Sequence, residues 1–105
     1  MTERSTVEIL RAARERIADP ERWCQGYYAQ DPNGAEVEPD DVQACKWCAV
    51  GSLCLEVQSR DEAHLYLVDA AREVGITPTA INDGRGHSAV MVLFDRAMQL
   101  AEASS

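Results

Sequence analysis

Two cysteines in a CxxC pattern, Cys45 and Cys48, are the first residues whose spacing could do chemistry. Such a pair acts as a redox centre when it opens a helix after a buried strand, and it supplies half of a four-ligand zinc site. Residues 39–44 do not have the pattern of a buried strand, which argues against a thioredoxin-like centre. Cys54 would lie on the opposite face of the same helix, so zinc would also need Cys24 and a histidine. We therefore expect no metal and no cofactor, and we interpret the cysteines as small, reduced core residues.

A thiol nucleophile is the second chemistry that the residue types allow. Cys48 is expected in the first turn of a helix, where the macrodipole lowers the pKa of a thiol. His87 begins another helix directly after a glycine-rich loop that carries Asn82 and Asp83. A nucleophile, a base and an orienting group are the parts of a papain-like site, and Cys48, His87 and Asp83 are its candidate catalytic residues. The alternative is that His87 hydrogen-bonds the loop and only holds it in place, and the sequence leaves both hypotheses open.

The balance of charge narrows the class of partner. The chain has 18 acidic and 10 basic residues and a net charge of −8. Because neutralising phosphates requires clustered lysine and arginine, this composition argues against direct nucleic-acid binding and against a membrane-surface helix. An acidic mimic of nucleic acid would need clustered carboxylates. One such cluster is present, at Glu36, Glu38, Asp40 and Asp41, while the other acidic residues are spread over helix faces, as solvated surface charge usually is.

The elements that must position these residues are mostly helical. Apolar residues at helical spacing predict four helices, which cover about residues 6–18, 46–58, 60–74 and 87–103. A short helical turn is expected from Pro78 to Ile81, because Thr77-Pro78 is typical of a helix start. Ser5 with Glu8, and Ser59 with Glu62, are candidate capping boxes for the first and third helices.

The strand signal lies between the first two helices. Residues 31–34 (DPNG) favour a type I turn and predict a short hairpin of Gly26–Gln30 with Ala35–Glu38. Residues 82–86 (NDGRG) predict a tight loop before the last helix. Gly51 keeps part of the second helix small, so another backbone could approach it closely. The expected fold class is a compact, mainly α domain of four helices with one short β-hairpin between the first and second helices.

Chain length and hydropathy bound the organisation of the protein. With 105 residues we expect a single domain, because half of this length could not bury a core unaided. Residues 1–8 have no apolar stretch that could serve as a signal peptide. The longest unbroken apolar run, residues 89–94, is too short to cross a bilayer. These observations predict a cytoplasmic protein with reduced thiols.

In five short motifs the chain resembles one family of small bacterial and phage proteins, catalogued as a domain of unknown function. The family pattern reads approximately W-x-Q-G, W-C-A-x-G-A-L, W-N-D and G-R-T-H, followed by a helix that ends D-R-A. The matching segments here are Trp23–Gly26, Trp47–Leu53, Asn82-Asp83, Gly84–His87 and Asp95–Ala97. The resemblance extends from Ile9 to about Ala101, and the W-C-A-x-G block is its most specific part.

Three departures from that pattern are visible. Ile81 stands where the family has the Trp of its W-N-D motif, Gly86 where it has a Thr, and Ser52 where it has an Ala. Cys48 alone among the four cysteines lies within the pattern. The resemblance therefore weakens the zinc and redox hypotheses, and it implies no activity. The polar residues that it carries over are Cys48, Asn82, Asp83, Arg85 and His87.

These observations lead to one spatial hypothesis. Residues 82–87 are expected near the start of the helix that carries Cys48, with Trp23 and Trp47 alongside. Asp83 would accept backbone N–H groups or pair with Arg85, and Gln25 would reach the same loop. The candidate binding residues are Trp23, Gln25, Trp47, Asn82 and Arg85.

The function that we expect is a non-enzymatic one, in which the protein binds or regulates another macromolecule. The partner would be an unidentified protein, and the aromatic residues near the hairpin leave a homodimer open. The alternative is a cysteine-dependent hydrolase or transferase that uses Cys48 as nucleophile and His87 as base.

Overall fold

The computed structural model describes residues 5–57 and 61–104. The helices in this part of the chain are α1 (Thr6–Arg16), α2 (Ala49–Cys54), α3 (Glu62–Arg72), α4 (Pro78–Arg85) and α5 (His87–Ser104). A 3-10 turn at Pro20–Arg22 follows α1, and two short antiparallel strands, β1 (Ala29–Gln30) and β2 (Lys46–Trp47), lie between α1 and α2. The predicted mainly α fold with a short hairpin between the first and second helices is confirmed, with five helices in place of four.

The core forms where the apolar faces of the helices meet. The long helix α5 packs against α1, α3 and α4, and α2 packs against α1. Burying these faces removes apolar side chains from water, which is the main favourable contribution to folding. The largest fully buried apolar side chains are Phe94, Leu10, Ile17, Leu53, Leu67 and Val90.

The start of α1 follows the predicted capping box. The Ser5 hydroxyl accepts the Glu8 N–H at 3.1 Å, and the Glu8 carboxylate accepts the Ser5 N–H at 3.4 Å. Two N–H groups that the helix cannot satisfy itself therefore have partners. The predicted box of Ser59 with Glu62 involves residues outside the described part of the chain. Asp61 caps α3 instead, by accepting the Ala63 N–H at 3.0 Å.

The helix that follows Cys48 is shorter than predicted. Lys46 and Trp47 are extended and form β2, and Cys48 is the N-cap of α2. The helix ends at Cys54, and the predicted end at Gln58 lies outside the described residues. Apolar spacing alone could not show this boundary, because Trp47 is held in the strand by backbone pairing on both of its sides.

The predicted pairing of residues 26–30 with residues 35–38 forms only in part. Glu36 forms an isolated antiparallel bridge to Gln30, flanked by hydrogen bonds from the Asp31 N–H to the Ala35 carbonyl and from the Val37 N–H to the Ala29 carbonyl. The regular partner of strand β1 is β2. The predicted turn does form, because the Asp31 carboxylate accepts the N–H groups of Asn33 and Ala35, both at 2.9 Å. Of the residues after the turn, Ala35, Glu36 and Glu38 are exposed and Val37 is half-buried. Trp47 packs against the core, and its segment forms the second strand.

The predicted loop at residues 82–86 is mostly helical. Thr77 caps α4 by accepting the Ala80 N–H at 3.1 Å, and the helix continues to Arg85. Asn, Asp and Gly favour loops because their side chains bond their own backbone or tolerate positive φ. Here the side chains of Asn82 and Asp83 bond other segments, so the helix persists. It ends only at Gly86, where φ is 89°.

Hydropathy along the helices bears on membrane insertion. In the described residues, none of the helices combines the length and the apolar character that crossing a bilayer requires.

Candidate functional site

Asn82 lies at the centre of a buried hydrogen-bond network and is 1% exposed. Its Oδ1 accepts the indole N–H of Trp23 at 2.7 Å and the backbone N–H of Ala49 at 2.9 Å. Its Nδ2 donates to the Cys24 carbonyl at 2.9 Å and to Asp83 Oδ1 at 3.0 Å. One amide thus uses two donors and two acceptor positions and joins three separate segments. We call residues 23–26, 47–49 and 82–83 the Asn82 cluster.

Gln25 and Asp83 tie the same segments together at the surface. Gln25 Nε2 donates to the carbonyls of Asn82 and Asp83, at 3.1 and 3.2 Å. These carbonyls belong to the last turn of α4, where a helix has no N–H groups of its own to pair with its carbonyls. Gln25 therefore caps that end of the helix. Asp83 Oδ1 accepts the Gly26 N–H at 2.9 Å. The sequence hypothesis that Gln25 and Asp83 meet here is confirmed.

A close backbone contact fixes α2 against the turn that precedes β1. The Tyr28 carbonyl accepts the Cys48 N–H at 3.2 Å and lies directly over Gly51. A Cβ atom at Gly51 would overlap with that carbonyl. The prediction that Gly51 admits another backbone is therefore confirmed, and the partner is the chain at Tyr28.

Cys48 is a buried helix cap. Its side chain is 5% exposed, and its Sγ accepts the Gly51 N–H at 3.2 Å. Burial raises the pKa of the Cys48 thiol, the N–H groups of Gly51 and Val50 lower it less, and the Asp83 carboxylate raises it further. The expected lowering by the helix macrodipole is therefore outweighed by desolvation. The thiol is largely protonated at neutral pH, which is the opposite of an activated nucleophile.

His87 faces a different environment from Cys48. Its Nε2 lies 2.7 Å from the Ile17 carbonyl, which can only accept, so this nitrogen carries the proton. The imidazole also packs edge-on against Trp23, with ring centroids 5.4 Å apart. In the described residues, no hydrogen bond joins His87 to Cys48 or to Asp83. The geometry matches the alternative in which His87 holds a segment in place, here the end of α1.

The remaining predicted site residues divide between two sides of α4. Trp23, Gln25, Asn82 and Asp83 meet as expected, and the Trp47 carbonyl accepts the Cys24 N–H at 3.1 Å beside them. Arg85 does not join them or pair with Asp83, because it lies on another face of α4, in a groove between α3, α4 and α5. The catalytic roles of Cys48, His87 and Asp83 stay predictions, as do the binding roles of the other five residues.

A surface cleft of about 210 Å³ opens directly above the Asn82 cluster. Tyr27 and Tyr28 stand at its edge with 45% and 54% of their surfaces exposed. A second depression of about 370 Å³ adjoins it and shares Tyr28 and Glu36. Among the described residues, no lysine or arginine lines either depression. The linings consist of Gly26, Tyr27, Tyr28, Glu36, Cys48, Thr79 and Asp83 in the first, and Tyr28, Glu36, Val37, Glu38 and Asp41 in the second.

Sequence reasoning missed several residues of this cleft. Thr79 comes from a segment without a chemical motif, and Glu36 was noted only as a member of the acidic cluster after the turn; the fold brings both beside Asp83. The adjacent tyrosines next to Gly26 were the available signal, since paired aromatics at a turn are often exposed. Over residues 5–57 and 61–104, no group of three or more potential ligands could hold a metal ion.

One protein family matches the chain. No curated protein and no solved structure matches the chain significantly. Residues 1–100 match the family described as a family of unknown function, DUF6197. The match covers nearly the whole chain and includes every segment of the Asn82 cluster. The chain therefore belongs to DUF6197, as the resemblance in its tryptophan, cysteine and Asn-Asp motifs indicated.

Proposed function

We propose that this protein is a non-enzymatic binding protein that recognises a basic surface of another protein through the cleft above the Asn82 cluster. The observation that carries the proposal is the lining of the two adjoining depressions. They combine two exposed tyrosines with four carboxylates, Glu36, Glu38, Asp41 and Asp83, and no cationic side chain of residues 5–57 or 61–104 lines them. Aromatic residues are enriched at protein interfaces. Complementary charge across an interface gives the complex specificity and a fast association rate.

The rigidity beneath the cleft also supports a binding role. Asn82 fixes three segments at once, so Tyr27, Tyr28 and Asp83 project from a preorganised base. A preorganised surface loses less conformational entropy on binding. The overall charge of −8 would attract a basic partner from a distance and repel nucleic acid.

We place this activity in the cytoplasm of a bacterium or of a phage-infected cell. All four cysteines are unpaired, as is usual for proteins of a reducing compartment.

Site-specific photo-crosslinking in bacterial cells tests the proposal. A photoreactive amino acid replaces Tyr28 in one variant and Leu65 in another. Both positions are 54% exposed, and Leu65 lies on α3, so it is the matched control. We expect a saturable adduct with one basic protein at position 28 and none at position 65. The adduct should weaken with rising salt and should be competed by the unlabelled protein but not by its E36Q variant. Equal adducts at both positions, or undiminished competition by E36Q, would contradict the proposal.

The enzymatic alternative can be separated by thiol chemistry. We expect iodoacetamide to modify Cys48 more slowly than a free-thiol peptide in mildly acidic buffer, because burial raises the pKa of this thiol. Exposed Cys54 is the internal comparison, and peptide mapping by mass spectrometry gives both rates. Faster modification of Cys48 than of the peptide, abolished by H87Q, would favour the hydrolase or transferase hypothesis instead.

A further inference from the structure

A groove lies between α3, α4 and α5, on a different part of the molecule from the cleft. Its volume is about 400 Å³, which is within the range of small-molecule sites. Ile81 and Leu93 form a buried floor, each 4% exposed, while Val74 and Val92 stand on the walls with 55% and 66% of their surfaces exposed. Large apolar side chains grouped around one concavity are typical of a binding surface.

The two ends of the groove differ in charge. Ser88, Ala89, Val92 and Arg96 line it along α5, and eight residues of helix span roughly 12 Å. At the far end Arg96 is neutralised by Glu73, with Nε–Oε1 and Nη2–Oε2 distances of 2.7 and 2.9 Å. This ion pair lowers the pKa of the Glu73 carboxyl and raises that of the Arg96 guanidinium. The far end therefore has little net charge to offer a ligand.

The near end of the groove carries positive charge without a counter-ion. Arg85 has no ion pair or hydrogen bond with any residue in the described ranges, although the chain as a whole is strongly acidic. Ser88 and Ala89, in the first turn of α5, line the same end. Gly86 precedes this helix and has no side chain to cap it, and no side chain in the described ranges accepts the first N–H groups of α5, where the helix dipole is positive.

We propose that this groove binds a soluble alkyl carboxylate of medium chain length. The alkyl chain lies along Val74, Ile81, Val92 and Leu93, and the carboxylate lies at Arg85 and Ser88. A planar guanidinium suits a carboxylate because it can donate two parallel hydrogen bonds. The apolar floor favours an alkyl ligand over a simple inorganic anion, and the positive charge of Arg85 disfavours a cationic amphiphile. This site is independent of the cleft that carries the proposed function.

Titration of the isotope-labelled protein with octanoate, followed by NMR of valine and alanine methyl groups, tests the proposal. We expect saturable shifts at Val74, Val92 and Ala89, and about fourfold tighter binding for each added methylene from hexanoate to decanoate. Octanol should bind more weakly, and octylammonium should not bind in the groove. R85Q should remove the preference of octanoate over octanol, whereas R11Q, at an exposed arginine of α1, should leave it unchanged.

A second pair of variants controls for the apolar contact. V92N should weaken binding of octanoate and octanol alike, while V42N, at a valine that is 95% exposed outside the groove, should not change either. Shifts that do not saturate, or equal octanoate binding by the wild type and R85Q, would overturn the proposal. Concentration-dependent dimerisation that V92N abolishes would overturn it as well, because the groove would then be an interface between two copies of the chain.

Discussion

The helical core and the Asn82 cluster hold the molecule together by different means. In the core, α1, α3 and α5 contribute long apolar faces, and each buried side chain touches several neighbours that share its role. In the Asn82 cluster, the chain before β1, the start of α2 and the last turn of α4 meet at one buried amide. The first arrangement distributes stability over many contacts, whereas the second concentrates it in a few. A buried polar network of this kind is strong only while every member has a partner.

Asn82→Ala tests most directly whether the stability of the cluster depends on this one amide, and we expect it to have the largest effect on the free energy of unfolding. It leaves the Trp23 indole N–H, the Ala49 N–H and the Cys24 carbonyl without their partner, each at a cost of about 1–3 kcal/mol. We expect the free energy of unfolding to fall by about 4 kcal/mol in urea denaturation. Leu67→Ala, in the fully buried core, is the matched control, with an expected loss of about 2–5 kcal/mol.

The two variants should differ in where the damage lies. Asn82→Ala should speed amide exchange at Ala49 and Gly26, because both N–H groups depend on Asn82 or on Asp83 beside it. Leu67→Ala should act on the helices and spare those amides. Unchanged exchange in the Asn82 variant would mean that the cluster does not depend on its central amide.

Gly51→Ala should have the next largest effect. The added methyl overlaps with the Tyr28 carbonyl, which is backbone and cannot rotate away. We expect a loss of about 2 kcal/mol, typical of overpacking, in spite of the better helix propensity of alanine. Gly84→Ala is the matched control, since Gly84 is also within a helix but has open space around it, and this variant should be neutral or slightly more stable. Equal stabilities of the two variants would contradict the close approach of Tyr28 to α2.

Replacements of Cys48 should have the smallest effect and should separate its capping role from any chemical role. Cys48→Ser keeps an acceptor for the Gly51 N–H, and serine is a preferred N-cap, whereas Cys48→Ala removes the acceptor. We expect the alanine variant to be about 1 kcal/mol less stable than the serine variant in thermal denaturation. If both variants unfold at the same temperature, the sulfur does not act as a cap.

Much of the fold followed from local signals, and the exceptions have a common cause. The capping box at Ser5, the end of α1 before Pro20 and the close approach at Gly51 depend on a few adjacent residues or on one residue size. The length of α4 and the partner of β1 depend on contacts between distant segments. Asn82 and Asp83 favour a loop by composition, but their side chains bond residues 23–26 and 49, and the helix continues through them.

The contacts within the site were also predicted in part. The motif residues Trp23, Gln25, Asn82 and Asp83 meet as the sequence suggested, because their types are those that satisfy buried backbone groups. The pKa of Cys48 could not be predicted from its place at a helix start, since the burial that raises it comes from the whole fold. Arg85 follows Asn82 by three residues, but it belongs to a different surface.

The position of the two tryptophans has a practical consequence. Trp23 and Trp47 are the chain's complete set of indoles, and both belong to the Asn82 cluster. Selective excitation of tryptophan therefore reports on this cluster alone, while far-ultraviolet circular dichroism reports mainly on the helices. If the unfolding midpoints from tryptophan fluorescence and from circular dichroism differ, the Asn82 cluster and the helical core unfold separately. If the two curves coincide, they unfold as a single cooperative unit.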